Sequence, residues 1–334
     1  MNERSSTDRQ PTRQPWPLSR LLHEHTITMG MALERSSQIA YNSHLNSYIA
    51  FCRIHQRPLT PTVDTLSFFI VYMSAHIKPD SVAVYLAGIC NRLETEFPDV
   101  RRHRNDPVVK RTLAGCIKRA RQQPSRKSPL DPTHLLIATQ NLTPESQHDD
   151  KLFAALLVTG FHALMRLGEL VWPDAIQLQS LCKISLRRSL RTTADSYSFV
   201  LPTHKALKAG HGEEILVCTF TPTVNPLPVL LDYMRSRDLH FFSAPELWLT
   251  HDRAIPTHTW FMHRFRRFFG SEFTGHSMRS GGATTLALIG KPPHVIQTLR
   301  RWSSEEWQKY VRNHAFCWES WYFLFRSSYP DTRF

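Results

Sequence analysis

The stretch TGFHALMRLGEL, residues 159–170, closes an apolar run that begins at Lys151. Extended to residues 151–176, KLFAALLVTGFHALMRLGELVWPDAI predicts a helix interrupted at Gly160, because glycine is among the weakest residues in a helix interior. Arg166 and Glu169 stand three residues apart, neighbours on one helix face, and read locally as an ion pair. GHSMRSGGATTLALIG, residues 275–290, sets His276 and Arg279 at the same spacing; alone, His276 reads as a satisfied histidine near a helix start. In RRWSSEEWQKYVRN, residues 300–313, Ser303 and Glu306 have the form of a capping box with Ser303 as N-cap. Trp302 and Trp307 then take the two positions of a hydrophobic staple, and Tyr310 can share a face with Trp307. Read one at a time, these stretches describe packing.

The chain around them sets the class. Its 334 residues are enough for two domains with real cores. Lys and Arg number 41 against 28 Asp and Glu, and a surplus of +13 points to a polyanionic partner, most often nucleic acid. No apolar run reaches the length that spans a bilayer, and the polar N-terminus, MNERSSTDRQPTRQPWP, lacks the apolar centre of a signal peptide. Cys52, Cys90, Cys116, Cys182, Cys218 and Cys317 are scattered without a C-x-x-C pair, which predicts reduced, mostly buried thiols in an intracellular protein. Neither H-E-x-x-H nor other metal-ligand spacing occurs among the 18 histidines, and ALIGKPP lacks the first glycine of a phosphate loop.

Residues 1–17 read as a disordered tail. Residues 18–120 read as helical, with helices in SSQIAYNSHLNSYIAFCRIH, TPTVDTLSFFIVYMSAH, KPDSVAVYLAGICNRLETEF and DPVVKRTLAGCIKRARQQ. Three prolines, serines and basic residues mark RQQPSRKSPLDP, residues 121–132, as a linker, leaving 133–334 as a second domain. There KISLRRSL, SYSFVLP and EEILVCTF alternate like strands of a small meandering sheet, and the last two flank the lysine-bearing turn PTHKALKAGHG. Helices resume at about residue 256, in HTWFMHRFRRFFG, HSMRSGGATTLALIG and PPHVIQTLRRW, and the aromatic FCWESWYFLFRSS follows.

Breaking and rejoining DNA without metal or nucleotide needs a recurring set of groups. Bidentate guanidinium groups suit the charge that builds on the nonbridging oxygens. A general acid protonates the leaving hydroxyl, and a side-chain nucleophile conserves the bond energy as an ester. In that light TGFHALMRLGEL resembles the first arginine box of the tyrosine recombinases, the phage lambda integrase family. GHSMRSGGATTLALIG resembles its H-x-x-R box. IQTLRRWSSEEWQKYVR resembles its last box in the Crypton-like mobile-element form, which carries Trp in the second-histidine position; Arg300 replaces the usual glycine of that form.

The resemblance implies a helical N-terminal DNA-clamping domain and a mixed α/β catalytic domain with a small antiparallel sheet. It implies that Arg166 and Arg279 clamp the scissile phosphate, with Glu169 orienting Arg166. His276 would donate to the phosphate or manage the nucleophile's proton. Lys205, or its rival Lys208, would be the general acid. The Trp302 indole would donate to a nonbridging oxygen, and Tyr310 would attack to leave a 3′-phosphotyrosyl bond. No cofactor or metal is implied. The implied partners are double-stranded DNA and further copies of the chain in a DNA-bound tetramer, in the nucleus if the source is eukaryotic. Two rivals share much of this set: a type IB topoisomerase-like enzyme, and a domesticated DNA-binding protein that no longer cuts.

Overall fold

A computed structural model describes residues 14–120, 127–202 and 212–299. It separates into two compact units, residues 1–124 and 125–334. The first unit is helical: α1 (Leu18–Met31), α2 (Arg35–Ile54), α3 (Val63–Ser74), α4 (Pro79–Leu93), α5 (Val100–Asn105) and α6 (Pro107–Arg119). Helix boundaries follow the local chemistry. Thr62 caps α3 through a reciprocal capping box with Thr65, and Asp106 caps α6 immediately before Pro107. Tyr48 and Phe51 of α2 meet Phe69 of α3, and Val82, Leu86 and Ile89 of α4 complete the buried core. Helix α1 buries none of its residues.

The second unit contains α7 (Pro132–Thr139), α8 (His148–His162), α9 (Leu167–Leu170), β1 (Arg191–Thr192), β2 (Ser196–Leu201), β3 (Glu213–Cys218), α10 (Pro226–His240), α11 (His258–Phe268), α12 (Gly275–Leu288) and α13 (Pro293–Leu299). The three strands form one antiparallel sheet in the order β1-β2-β3, with Leu201 opposite Glu213 at the end of the β2–β3 pair. All but one residue of α8 are buried, so this helix is the axis of the unit.

Several expectations change. Residues 127–131, read as linker, are tied to the second unit: Ser128 N–H donates to Glu272 O, Leu130 N–H donates to Ser277 O, and Leu130 is buried. Asp131 caps α7, whose first residue is Pro132. KISLRRSL is not a strand; a 3-10 turn, Leu181–Lys183, ends at its first residue and another spans Arg187–Ser189. The Arg187 guanidinium pairs with Asp238 of α10 at 2.7 Å, and the Arg187 backbone N–H donates to Pro245 O in an isolated antiparallel bridge between Leu186 and Glu246, so the segment pairs there and not as a strand of the sheet. Asp238 also takes a bond from the fully buried Arg237, which donates to three carbonyls of residues 241–246. The five described cysteines are free; Cys52 and Cys90 are buried, but Cys182 and Cys218 are exposed. Among the described residues, no helix is long and apolar enough to cross a membrane.

Candidate active site

The break in the helix that carries TGFHALMRLGEL lies after Gly160. Helix α8 continues to His162, and the side chain of Met278 packs where a Gly160 side chain would stand. The chain then turns through Ala163, Leu164 and Met165. Met165 N–H donates to Gly160 O and Leu164 N–H to Phe161 O, the two bonds of a Schellman motif. Its left-handed residue is usually glycine, yet here Leu164 has φ 51°. The left-handed conformation costs an L-residue about 1–2 kcal/mol. Burial offsets it, since Leu164 is wholly enclosed in a small core with Ala283, Leu286 and Ile296.

That turn delivers Arg166 to the N-cap of α9. Glu169 answers twice: one carboxylate oxygen accepts from Arg166 N–H and the other from Arg166 Nη1, each at 2.9 Å. The carboxylate side chain is 8% exposed and the arginine side chain 37%. One end of the guanidinium is therefore held by a nearly buried anion while the side chain still reaches solvent.

Helix α12 supplies the second pair. Thr274 and Ser277 form its capping box, which starts the helix one residue before His276. His276 is exposed, and Arg279, one turn later, is 1% exposed. Arg279 Nη1 donates to Leu164 O at 2.6 Å. The guanidinium of the H-x-x-R segment thus rests on the strained turn that ends in Arg166. Further contacts join the two segments. A Cβ on Gly275 would come 2.5 Å from Leu167 Cδ2, and one on Gly282 would strike the carbonyl oxygen of Phe161. The Leu164 side chain lies on the same glycine.

Arg166, Glu169, His276 and Arg279 are therefore carried on adjoining elements. Lys205, its rival Lys208, Trp302 and Tyr310 lie outside the described residues, as do the capping box at Ser303 and the aromatic segment after it. Sequence reasoning missed Leu164, whose carbonyl anchors Arg279. Among the described residues, no group of three His, Cys, Asp or Glu side chains is placed to hold a metal.

His162, in the same turn, has its own signature. Its Nδ1 bonds to Val158 O at 3.0 Å, while Nε2 is buried without a partner beside Phe161 and Phe220. Burial pushes its pKa down to about 4. The unfolded chain takes up this proton near the ordinary histidine value, so it binds more protons than the folded one at mildly acid pH. Stability should be at its plateau above about pH 6.5 and fall as pH drops toward 4, by roughly 3 kcal/mol in all, with more than half lost by pH 5. Denaturant unfolding at pH 7.5 and 5.0 measures this, and His162→Phe should remove that share of the difference. An unchanged difference in the variant would move the acid sensitivity elsewhere.

Neither a protein-family model nor a curated protein sequence matches this chain. Solved structures do. The Tn1549 transposon integrase in complex with circular intermediate DNA is 12% identical with a TM-score of 0.60, covering 91% of this chain and 98% of that one. A lambda integrase tetramer bound to a Holliday junction is 15% identical with a TM-score of 0.54, covering 87% and 76%. The XerH site-specific recombinase in a post-cleavage complex with difH substrate is 12% identical with a TM-score of 0.53, covering 79% and 72%. The fold is that of the tyrosine recombinases. Both the helical part and the part with the small antiparallel sheet fall within the tyrosine-recombinase likeness, since the Tn1549 match spans nearly the whole chain.

Proposed function

We propose that the protein is a site-specific DNA recombinase or integrase of the tyrosine type. The observation that carries this reading is the Leu164 turn, which links the Arg166–Glu169 pair to Arg279 and puts exposed His276 one helical turn away. It stands on a fold shared with DNA-bound recombinases. In this reading Arg166 and Arg279 neutralise the charge that builds on the scissile phosphate. Glu169 holds Arg166 in place, and His276 serves the phosphate or the nucleophile's proton. Lys205 protonates the leaving oxygen, with Lys208 as the alternative. Trp302 donates through its indole N–H, a group that needs no protonation control. The Tyr310 hydroxyl attacks phosphorus and displaces a 5′-hydroxyl, leaving a 3′-phosphotyrosyl ester. A 5′-hydroxyl of the partner strand reverses the step and releases the tyrosine. The bond energy is conserved, so the chemistry runs without ATP, and the arginines and indole take the place of a metal. Strand exchange takes place in a DNA-bound tetramer. In this reading residues 18–120 form the clamping domain, and the Trp302-bearing last box supports a Crypton-like mobile-element recombinase.

The test begins with selection of bound genomic fragments at a stated salt concentration, then asks for cleavage and joining on the enriched sites. Relaxation of supercoiled DNA without strand exchange would favour the type IB topoisomerase-like reading. Binding with no covalent chemistry would favour a domesticated DNA-binding protein. Affinity itself should fall steeply with salt, because each neutralised phosphate releases counterions and contributes about −0.9 to the log–log slope. A slope near zero between 50 and 200 mM would remove the clamp.

A further inference from the structure

The segment Lys127–Leu130 has no task in the proposed chemistry, yet it is tied at three points to the helix that carries His276. Lys127 Nζ donates to Ser271 O at 2.7 Å, and Ser128 N–H donates to Glu272 O at 3.0 Å. Both carbonyls belong to the exposed loop that enters α12 just before its N-cap, Thr274. Leu130, 1% exposed, donates its N–H to Ser277 O at 3.0 Å. Ser277 directly follows His276 in the first turn. A helix carbonyl ordinarily takes the N–H four residues on, which here belongs to Gly281. A donor from outside reaches it because Gly281 has no side chain: a Cβ there would strike the carbonyl oxygen of Leu130 and crowd its nitrogen.

The first turn of α12 is therefore held from two directions. In one, Gly275 lies on Leu167 of α9, the residue after Arg166. In the other, residues 127–130 hold the entry loop and the Ser277 carbonyl. Helix α7 adds to this second support. Asp131 caps it, and its His134 ring stands 4.9 Å from that of Phe273, the residue before Thr274. Arg279 has an anchor of its own in Leu164 O, one turn deeper. His276 is exposed, so the backbone of this turn decides where its imidazole reaches. Loosening the turn shifts the imidazole while the buried body of the helix stays in place. A misplacement of about 1 Å from a change remote from the chemistry can cost about 10²-fold in rate.

We propose that Lys127, Ser128 and Leu130 are positioning residues for His276, holding the entry and first turn of α12 against α9 so that the imidazole stays in register with Arg166. This rests on the recombinase reading. Lys127→Met combined with Ser128→Pro removes both ties to the loop and leaves α12 unaltered. Gly281→Ala displaces Leu130 from the other side, while alanine favours the helix itself. Single-turnover cleavage at saturating DNA should slow about tenfold in the double variant and about 10²-fold in Gly281→Ala. The deciding comparison is a His276→Ala background. There the same changes should cost no further rate, because their effect passes through the imidazole. A general brace would slow cleavage by the same factor in both backgrounds. Equal factors, or a native rate in the double variant, would overturn the proposal. If Gly281→Ala fails to fold, the double variant answers alone. Amide hydrogen exchange of the DNA-free protein separates this test from the recombinase reading: residues 276–279 should exchange faster in the double variant than in the native chain. Faster exchange in a protein that cuts no verified site would sink the recombinase reading and keep the tie. Unchanged exchange would remove the tie whatever the cleavage result.

Discussion

Tyr310→Phe should fold, bind DNA and form no covalent adduct. The change removes one oxygen and keeps the ring, and it leaves Arg166, Arg279 and the basic surface untouched. In the proposed clamp, binding rests on phosphate contacts, so it should stay within a few-fold of the native value. In the proposed mechanism cleavage needs the missing oxygen. A phenol titrates near pH 10, so the proposed attack at neutral pH requires cations that favour the phenolate as the bond forms. A substrate nicked close to the cleavage site separates the outcomes. In the native reaction the short fragment diffuses away, religation stops, and protein stays on the 3′ end in a complex that survives denaturant. The Phe variant should give none of it on the same DNA. An adduct that persists in the variant would assign the nucleophile elsewhere, with Tyr322 next in line. No adduct from the native protein on a verified site would leave a binding protein.

Arg279→Lys should be the next largest loss, and it tests the geometry as well as the charge. The native guanidinium has five donors in a rigid fork. One of them donates to Leu164 O at 2.6 Å and so holds the turn, and in the proposed mechanism the same fork also meets the phosphate. An ammonium has three donors on a single nitrogen and cannot reproduce the spread and bidentate geometry of that fork. Charge is conserved, so DNA affinity should change little. Removing a positioned transition-state donor costs about 2.7–4 kcal/mol, or roughly 10²–10³ in the rate of cleavage. Single-turnover cleavage at saturating DNA measures it directly. Arg279→Ala should add a folding defect of about 1–3 kcal/mol, because the buried Leu164 carbonyl loses its donor. A lysine variant that cleaves at the native rate would reduce Arg279 to a counter-charge.

Both variants act at positions named from the sequence, while the part that joins the described motifs was not legible there. His276 and Arg279 could be paired from their three-residue spacing because a helix face is a local property; the same spacing paired Arg166 with Glu169, although there the contact is a helix cap and not a shared face. The tie between them is a carbonyl of Leu164 in a left-handed conformation. Backbone oxygens leave no mark in a sequence, and a glycine or asparagine would have announced that turn where a leucine does not. For the same reason the helix break was expected at Gly160: the glycine is conspicuous, but its missing side chain makes room for Met278 instead of ending the helix. The strand expected in KISLRRSL failed because alternation says nothing of Arg187's distant partner Asp238. Helix α10 was overlooked although Asn225 and Pro226 have the form of a cap followed by a first-turn proline, and Asn225 does accept from Leu227 N–H. The paired strands SYSFVL and EEILVC, and the helices bounded by Thr62 and Asp106, stood as read, since their signals lie within a few residues.

The two glycines at the centre of α12 bear on how such a chain diverges. A side chain on Gly281 would strike the carbonyl oxygen of Leu130, and one on Gly282 that of Phe161. At both points the helix meets main chain, which every amino acid supplies alike. The seat of Arg279 is set less by which residues stand at 130 and 161 than by the absence of a side chain at 281 and 282. Most of the surrounding alphabet can then drift while the arginine keeps its place. A fold recognisable at 12% identity over nearly its whole length is what such a backbone-built joint permits.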